Sequence, residues 1–560
     1  MMKLRRRLPS LLGDEEDEDR LEAVRASEVA TAGVSQPAPL AWYWSLVILV
    51  AAALPRLYYL YFVTGPENAG EGAYADVWHH WQIAYLTKEI GLSAPDGPRL
   101  WDLKGLEYFW GPLHPYLMDV LFFVTGSIDI VLERWLSLVA GSVVVLLTFH
   151  ICRRFWGTPV AIAASIFTIS LPTSVMNDAS GMLEPLGVAL VLAGIWAWNR
   201  RHGFWSGLLF GLATSARAEA WIFSLGMVVA ALLRRTTRTQ ALPLLVGFML
   251  VMLTYMKSLL DHTGNPIYPL WWNVLANAVG RWEATSITAA QASVRPYLGV
   301  ILVLAAVGLA LTLWKRPDGY MYLAFGFGEW VFVTGMLGFT SYLASWTWWM
   351  PITRVFAYSY DFTAVVGVLF LLKVLPTWLG RRVIPAAWIV IIVAALAVQV
   401  VWLPIRAVFG PTDVAWQETV AAGQQLGALY NGTPGVAGGA INVPDDRPDL
   451  TYTLARYGNV SGKHLVSQLY DPFYYLPAGY TYRDHPDTAG PLLQCWLDKS
   501  GTRLWAVTPN SANYHFYIAD NPQWFIRIGD VPQAGWEIWR TQVPKPPPGF
   551  CEEASRAAPH

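Results

Sequence analysis

Long apolar runs recur along this chain, and each approaches the ~20 residues that a helix needs to cross a bilayer. They lie at roughly 41–63, 130–151, 158–176, 183–199, 241–260, 297–314, 319–340, 354–374 and 384–404. Hydrophobic residues make up 54% of the 560 and charged residues only 14%, against roughly a quarter charged in an ordinary soluble protein. Much of that apolar surface must therefore face lipid. Twenty-nine Trp and 26 Tyr suit the membrane–water interfaces, where one end of each ring is dry and the other wet. Net charge is −1, so no global field attracts nucleic acid.

Basic clusters set the sidedness. They are Lys3 to Arg7, Arg153-Arg154, Arg200-Arg201, Arg234-Arg235-Arg238, Lys315-Arg316, and Lys373 with Arg381-Arg382. Cytoplasmic loops are rich in Lys and Arg. Placing every cluster inside makes the loops alternate and puts the N-terminus in the cytoplasm. One segment tests the scheme. Arg200 and Arg234 both belong inside, yet mostly apolar residues separate them, too few for two full spans. The segment is expected to enter and return as two short helices of about 15 residues each. The turn, Thr214-Ser215-Ala216-Arg217-Ala218-Glu219, then places Arg217 and Glu219 at the outer surface. There a charge is costly unless paired or wet. The expected fold is a polytopic α-helical membrane protein of about 11 crossings, with a C-terminal extracytoplasmic α/β domain.

Residues 1–39, with their basic start and acidic run from Asp14 to Asp19, read as a disordered cytoplasmic tail rather than a signal peptide. Residues 40–404 form the transmembrane part, with a long first outer loop at 64–129. From 405 to 545 the composition turns soluble. A helix at 413–429, a strand at 436–442, a helix at 448–457 and strands near 464–469, 504–508, 524–528 and 536–540 alternate as in a small α/β domain. The Pro-rich end, 546–560, reads as disordered. Cys495 and Cys551 would pair if this domain lies outside the cytoplasm, or remain free thiols. Asn431-Gly432-Thr433 and Asn459-Val460-Ser461 are sequons permissive for N-glycosylation.

The outer loops carry the candidate chemistry. Asp76 precedes an aromatic run, Val77 to Leu86, that reads as a helix lying in the interface plane. Its carboxylate is either a helix cap or a general base. Trp110-Gly111-Pro112-Leu113-His114-Pro115 opens a run to Gly126 too short to cross. In the second outer loop, Asp178 and Glu184 flank Gly181. They could bind a divalent cation such as Mg or Mn, or a substrate hydroxyl, or serve only as turn and helix caps. Arg354 begins a helix on the outer side, where a cation is unfavourable without an anionic partner such as a lipid phosphate. His79, His80 and His114 read more simply as interface residues than as ligands. No phosphate-binding Gly loop, HExxH or CxxC pair occurs.

Taken in order, Asp76 with its Trp/His/Tyr helix, Trp110 to Pro115, Ser180-Gly181-Met182-Leu183-Glu184 and Arg217-Ala218-Glu219 resemble the GT-C membrane glycosyltransferases. These include protein O-mannosyltransferases, lipid A aminoarabinose transferases and the oligosaccharyltransferase catalytic subunit. Against the last of these, Glu184 is followed by Pro185, so the acidic pair is not intact, and Trp348-Trp349 is followed by Met350 rather than Asp. The resemblance implies an inverting transfer of sugar from a polyprenyl-phosphate-type donor to a protein, glycan or lipid acceptor. Asp76 would be the base, and Arg354 and Arg217 would face the leaving phosphate. Asp178, Glu184, Glu219 and His114 would bind substrate, and Asp76, Asp178 and Glu184 would hold any metal. No other cofactor is expected. A transporter or lipid-linked-sugar flippase, or a subunit displaying a binding domain, remain the alternatives.

Overall fold

The computed structural model describes residues 41–65, 67, 75–90, 110–218, 220–233, 238–271, 364–408, 416–444, 447–467, 486–511 and 514–557. The apolar runs at 297–314 and 319–340 and the first part (354–363) of the one at 354–374 lie outside the described residues, as do the first 40 residues.

The described apolar runs fold as helices, as do shorter segments between them. They are α1 (Trp42–Tyr58), α2 (Ala75–Ile90), α3 (Leu113–Thr125), α4 (Val131–Trp156), α5 (Thr158–Ser170), α6 (Pro172–Ser180), α7 (Glu184–Asn199), α8 (Gly203–Ala216), α9 (Ala220–Leu233), α10 (Arg238–Thr263), α11 (Ala364–Leu379) and α12 (Ile384–Val408). Among the described residues four helices are long and apolar enough to cross a membrane, and α5 with α6 makes a fifth if that bent pair is one span. The pair bends by 59° at Pro172, whose ring nitrogen cannot continue the helical ladder. The described residues thus show part of the eleven crossings expected. The segment between Arg200 and Arg234 does return on itself, as α8 and α9, 14 residues each.

The second outer loop is shorter than expected. Asn177 and Asp178 lie within α6, which ends at Gly181 in the left-handed region, and Glu184 already opens α7. Only Gly181 to Leu183 separate the two helices. Of the alternatives open for Asp178, the turn cap gives way to a place on a buried helix face.

The C-terminal part is a mixed sheet with helices. Its elements are α13 (Trp416–Gly432), β1 (Ala440–Val443), α14 (Pro448–Tyr457), β2 (Leu465–Ser467), α15 (Pro486–Ser500), β3 (Thr502–Val507), β4 (Phe525–Val531), β5 (Trp536–Thr541) and α16 (Phe550–Ala557). Strand order is β2-β1-β3-β5-β4; β1 runs parallel to β2 and β3, and β3, β5 and β4 are antiparallel. Side chains alternate between faces, as strand geometry requires. Leu504 and Ala506 point into one apolar cluster, Trp505 and Val507 into another. Within the Pro-rich end expected to be disordered, residues Phe550–Ala557 form α16, and a Cys495–Cys551 disulfide ties α16 to α15.

α2 departs furthest from expectation. An interface helix should keep one wet face, but Val77 to Leu86 are all buried. One side meets the membrane helices and the other meets the C-terminal lobe. Val77, Trp78, Trp81 and Tyr85 share a single apolar cluster with Leu426, Ile441, Leu450, Tyr452, Leu504 and Ile538. Trp78 stacks on Trp416 with ring centroids 5.8 Å apart and lies 5.2 Å from Tyr452. The Gly462 amide donates to the Tyr85 hydroxyl at 3.1 Å. Trp81 donates its indole N–H to the Ile128 carbonyl at 2.8 Å. α2 and the lobe are thus packed as one core.

Deleting residues 405–560 would strip the lobe from α2. Limited proteolysis of the shortened chain in detergent should cut within residues 75–90, where the full chain resists; equal resistance would contradict the shared core. Replacing Cys551 by Ala opens a loop closed over a sequence separation of 56. The lobe should lose about 2–4 kcal/mol of stability, read as an earlier guanidinium midpoint in tryptophan fluorescence. An unchanged midpoint would show that the disulfide contributes nothing.

Candidate functional site

Two buried arginine–carboxylate pairs lie within the helical part. α1 presents Trp42, Val47, Val50, Leu54 and Tyr58 outward, while Ala52 and Arg56 face in. Arg56 is 1% exposed. Its Nε lies 2.6 Å from Asp178 Oδ2, its Nη1 donates to the Ala52 carbonyl at 2.7 Å and its Nη2 to the Thr168 carbonyl at 3.3 Å. The last contact follows from sequence. Thr168 stands four residues before Pro172, which has no N–H to offer its carbonyl, so Arg56 supplies the donor. Buried charge is tolerated when paired and hydrogen-bonded, and Arg56 meets both conditions.

A second pair lies nearby. Arg217 Nη2 is 2.9 Å from Glu184 Oε1, with both side chains buried. Arg217 stands at the C-cap of α8 in an extended conformation, at the tip of the α8–α9 hairpin. Trp221 braces that tip by donating to the Thr214 carbonyl at 2.9 Å. The Trp110-Gly111-Pro112 segment packs against it from α3. A Cβ on Gly111, whose φ is +89°, would stand 2.3 Å from the Ser215 carbonyl oxygen, so only glycine allows this approach.

A third group lies under α2. Glu133, in the first turn of α4, is fully buried. Its Oε1 faces His80 Nδ1 at 3.8 Å and His114 Nε2 at 3.6 Å. These distances exceed a hydrogen bond. Beside it, Arg134 donates to the carbonyls of Gly65 and Glu67 at 2.7 and 3.4 Å and so holds the start of the first outer loop. The Glu67 carboxylate meets the lobe, accepting from Tyr457 at 2.5 Å and from Tyr452 at 3.4 Å. Tyr452 also donates to Asp129 at 3.3 Å. Burial, followed by the Asp129 and Glu67 charges, raises the Tyr452 phenol above its ordinary range. Burial and the Glu67 hydrogen bond do the same for Tyr457. Both therefore stay protonated donors at physiological pH.

Of the residues singled out from sequence, Asp178, Glu184 and Arg217 are brought together. Asp76 falls in the first turn of α2, and its side chain lies outside the described residues, as do Glu219 and Arg354. His114 is buried against Glu133 rather than turned outward. Arg56, Glu133 and Arg134 escaped the sequence reading. Arg56 had a usable signal, because it is an arginine within an apolar run. The metal expectation meets a difficulty in the donor set. Asp178 and Glu184 each have an oxygen engaged by an arginine. Among the described residues no group of three or more His, Cys, Asp or Glu is arranged to hold a metal.

No protein-family model matches the sequence, and no curated protein is similar to it in sequence. Solved structures match in fold. The oligosaccharyltransferase AglB of Archaeoglobus fulgidus, in complex with an inhibitory peptide and a dolichol-phosphate, overlays with a TM-score of 0.52 at 13% identity. The overlay covers 88% of this chain and 72% of that one. The Archaeoglobus fulgidus enzyme with zinc and sulfate gives 0.51 at 14% identity, over 82% and 67%. ArnT of Cupriavidus metallidurans bound to undecaprenyl phosphate overlays more loosely, at 0.42 and 13% identity, over 90% and 100%. The chain shares the fold of the Archaeoglobus fulgidus oligosaccharyltransferase.

Proposed function

We propose that this protein is a membrane glycosyltransferase. It moves a sugar from a polyprenyl-phosphate-type lipid to a protein, glycan or lipid acceptor on the extracytoplasmic face, inverting the anomeric centre. The observation that carries the reading is the buried cluster Arg56–Asp178 and Arg217–Glu184, in a fold shared with an enzyme solved with dolichol-phosphate. Buried ion pairs in a membrane protein mark a functional site by default. The Cys495–Cys551 disulfide favours an oxidising compartment for the lobe, and the basic clusters favour a cytoplasmic N-terminus.

In this reading the acceptor nucleophile attacks the anomeric carbon as the bond from that carbon to the lipid phosphate oxygen breaks. Asp76 takes the acceptor proton. Arg217 and Arg354 face the leaving phosphate, where fixed positive charge in a dry cavity stabilises the developing anion. Asp178, Glu184 and Glu219 orient the sugar through its hydroxyls. His114 acts from behind, packed with Glu133 beneath α2. A divalent cation on Asp76, Asp178 and Glu184 would compete with Arg56 and Arg217 for the same carboxylates, so no step is assigned to one.

Replacing Asp76 by Asn tests the base. Reconstituted with a polyprenyl-phosphate sugar and acceptor, the variant should lose roughly 10²–10⁴-fold in kcat while its thermal unfolding matches the parent. Full activity would remove the assignment.

A further inference from the structure

The Arg56–Asp178 pair depends on a position that bears no side chain. Gly141 lies near the middle of α4, on the same face as Glu133 and Ser137, which precede it at helical spacing of four. Each member of this row meets the segment that carries the two acidic residues. Ser137 Oγ lies 2.9 Å from the Met182 carbonyl and 3.2 Å from that of Asn177. Glu133 Cγ lies 3.2 Å from where a Cβ on Gly181 would stand. At Gly141 the contact is closest: a Cβ there would be 2.1 Å from both Cγ and Oδ2 of Asp178 and 2.7 Å from its Cβ. Oδ2 is the atom that meets Arg56.

Neither neighbour has slack. The end of α6 is tied by the Met182 amide to the Asn177 carbonyl and by Ser137. Arg56 cannot follow a displaced carboxylate without giving up its bonds to Ala52 and Thr168. We propose that Gly141 is a positioning residue: its bare Cα is the slot that seats the Asp178 carboxylate on Arg56 and so sets where the acidic segment stands in the transfer site. The relevance to transfer rests on the glycosyltransferase reading. The slot itself does not.

The test is a double-mutant cycle on the full chain, with Gly141→Ala, Asp178→Ala and their combination. Gly226→Ala serves as the control, because a Cβ at Gly226 meets nothing within 4 Å. Melting temperature and transfer kinetics are both measured. Alanine is the better helix former, so a side chain without steric consequence should leave Gly141→Ala neutral or more stable. The expected result is the opposite: a lower melting temperature, and a kcat down by roughly 10²-fold with KM little changed. The control should show neither effect. In the Asp178→Ala background, which removes the carboxylate and leaves only the Cβ 2.7 Å from the new methyl, adding Gly141→Ala should lower the melting temperature by clearly less than it does in the parent. Arg56→Leu accompanies Asp178→Ala in both arms of the cycle if the unpaired arginine keeps the latter from folding. Equal melting losses in both backgrounds, or wild-type kcat in Gly141→Ala, would overturn the proposal. If the parent protein transfers no sugar, the glycosyltransferase reading fails, and the melting cycle alone still decides the slot.

Discussion

A guanidinium and a carboxylate 2.6 Å apart inside an apolar bundle set the terms for the structure around them. Neither charge could sit there alone, because an unpaired buried ion costs several kcal/mol. Arg56 therefore fixes α1 against α6, and through the Thr168 carbonyl it compensates the break that Pro172 makes in α5–α6. The bend in turn leaves room for only three residues between Ser180 and Glu184, which brings the second carboxylate to the Arg217 hairpin. One buried pair thus fixes the spacing of the other.

The C-terminal lobe extends the same logic outward. Trp78, Trp416 and Tyr452 close one side of α2, and the Tyr452 and Tyr457 hydroxyls hold Glu67 and Asp129. A helix that would otherwise lie in the interface is held on both faces. Its first turn, with Asp76, is then placed by the lobe and by α4 together.

What could be read from sequence followed from solvent. The apolar runs, the returning hairpin between Arg200 and Arg234, and most lobe strands carry local signals that need no partner to interpret. α14 falls at 448–457, where the sequence puts it. The burial of α2 was not legible, because aromatic residues suit an interface and a core equally well. α15 was missed because Pro491 and its polar residues blur its period, and α16 because a Pro-rich stretch precedes it. In the candidate site, Asp178, Glu184 and Arg217 were found as charges in unlikely places. Their partners were harder. Arg56 is 122 residues from Asp178 in sequence, and Gly141 contributes only an absence, which no pattern of residue types reveals.

The central claim is that a lipid phosphate is processed beside the two arginine–carboxylate pairs. A structure determined with a bound polyprenyl phosphate tests it most directly. The phosphate is expected within hydrogen-bonding distance of Arg217, on the rim that also holds Asp178 and Glu184 and the first turn of α2. A phosphate bound at the end of the bundle carrying Arg153, Arg154, Arg200 and Arg201, far from both pairs, would contradict the account.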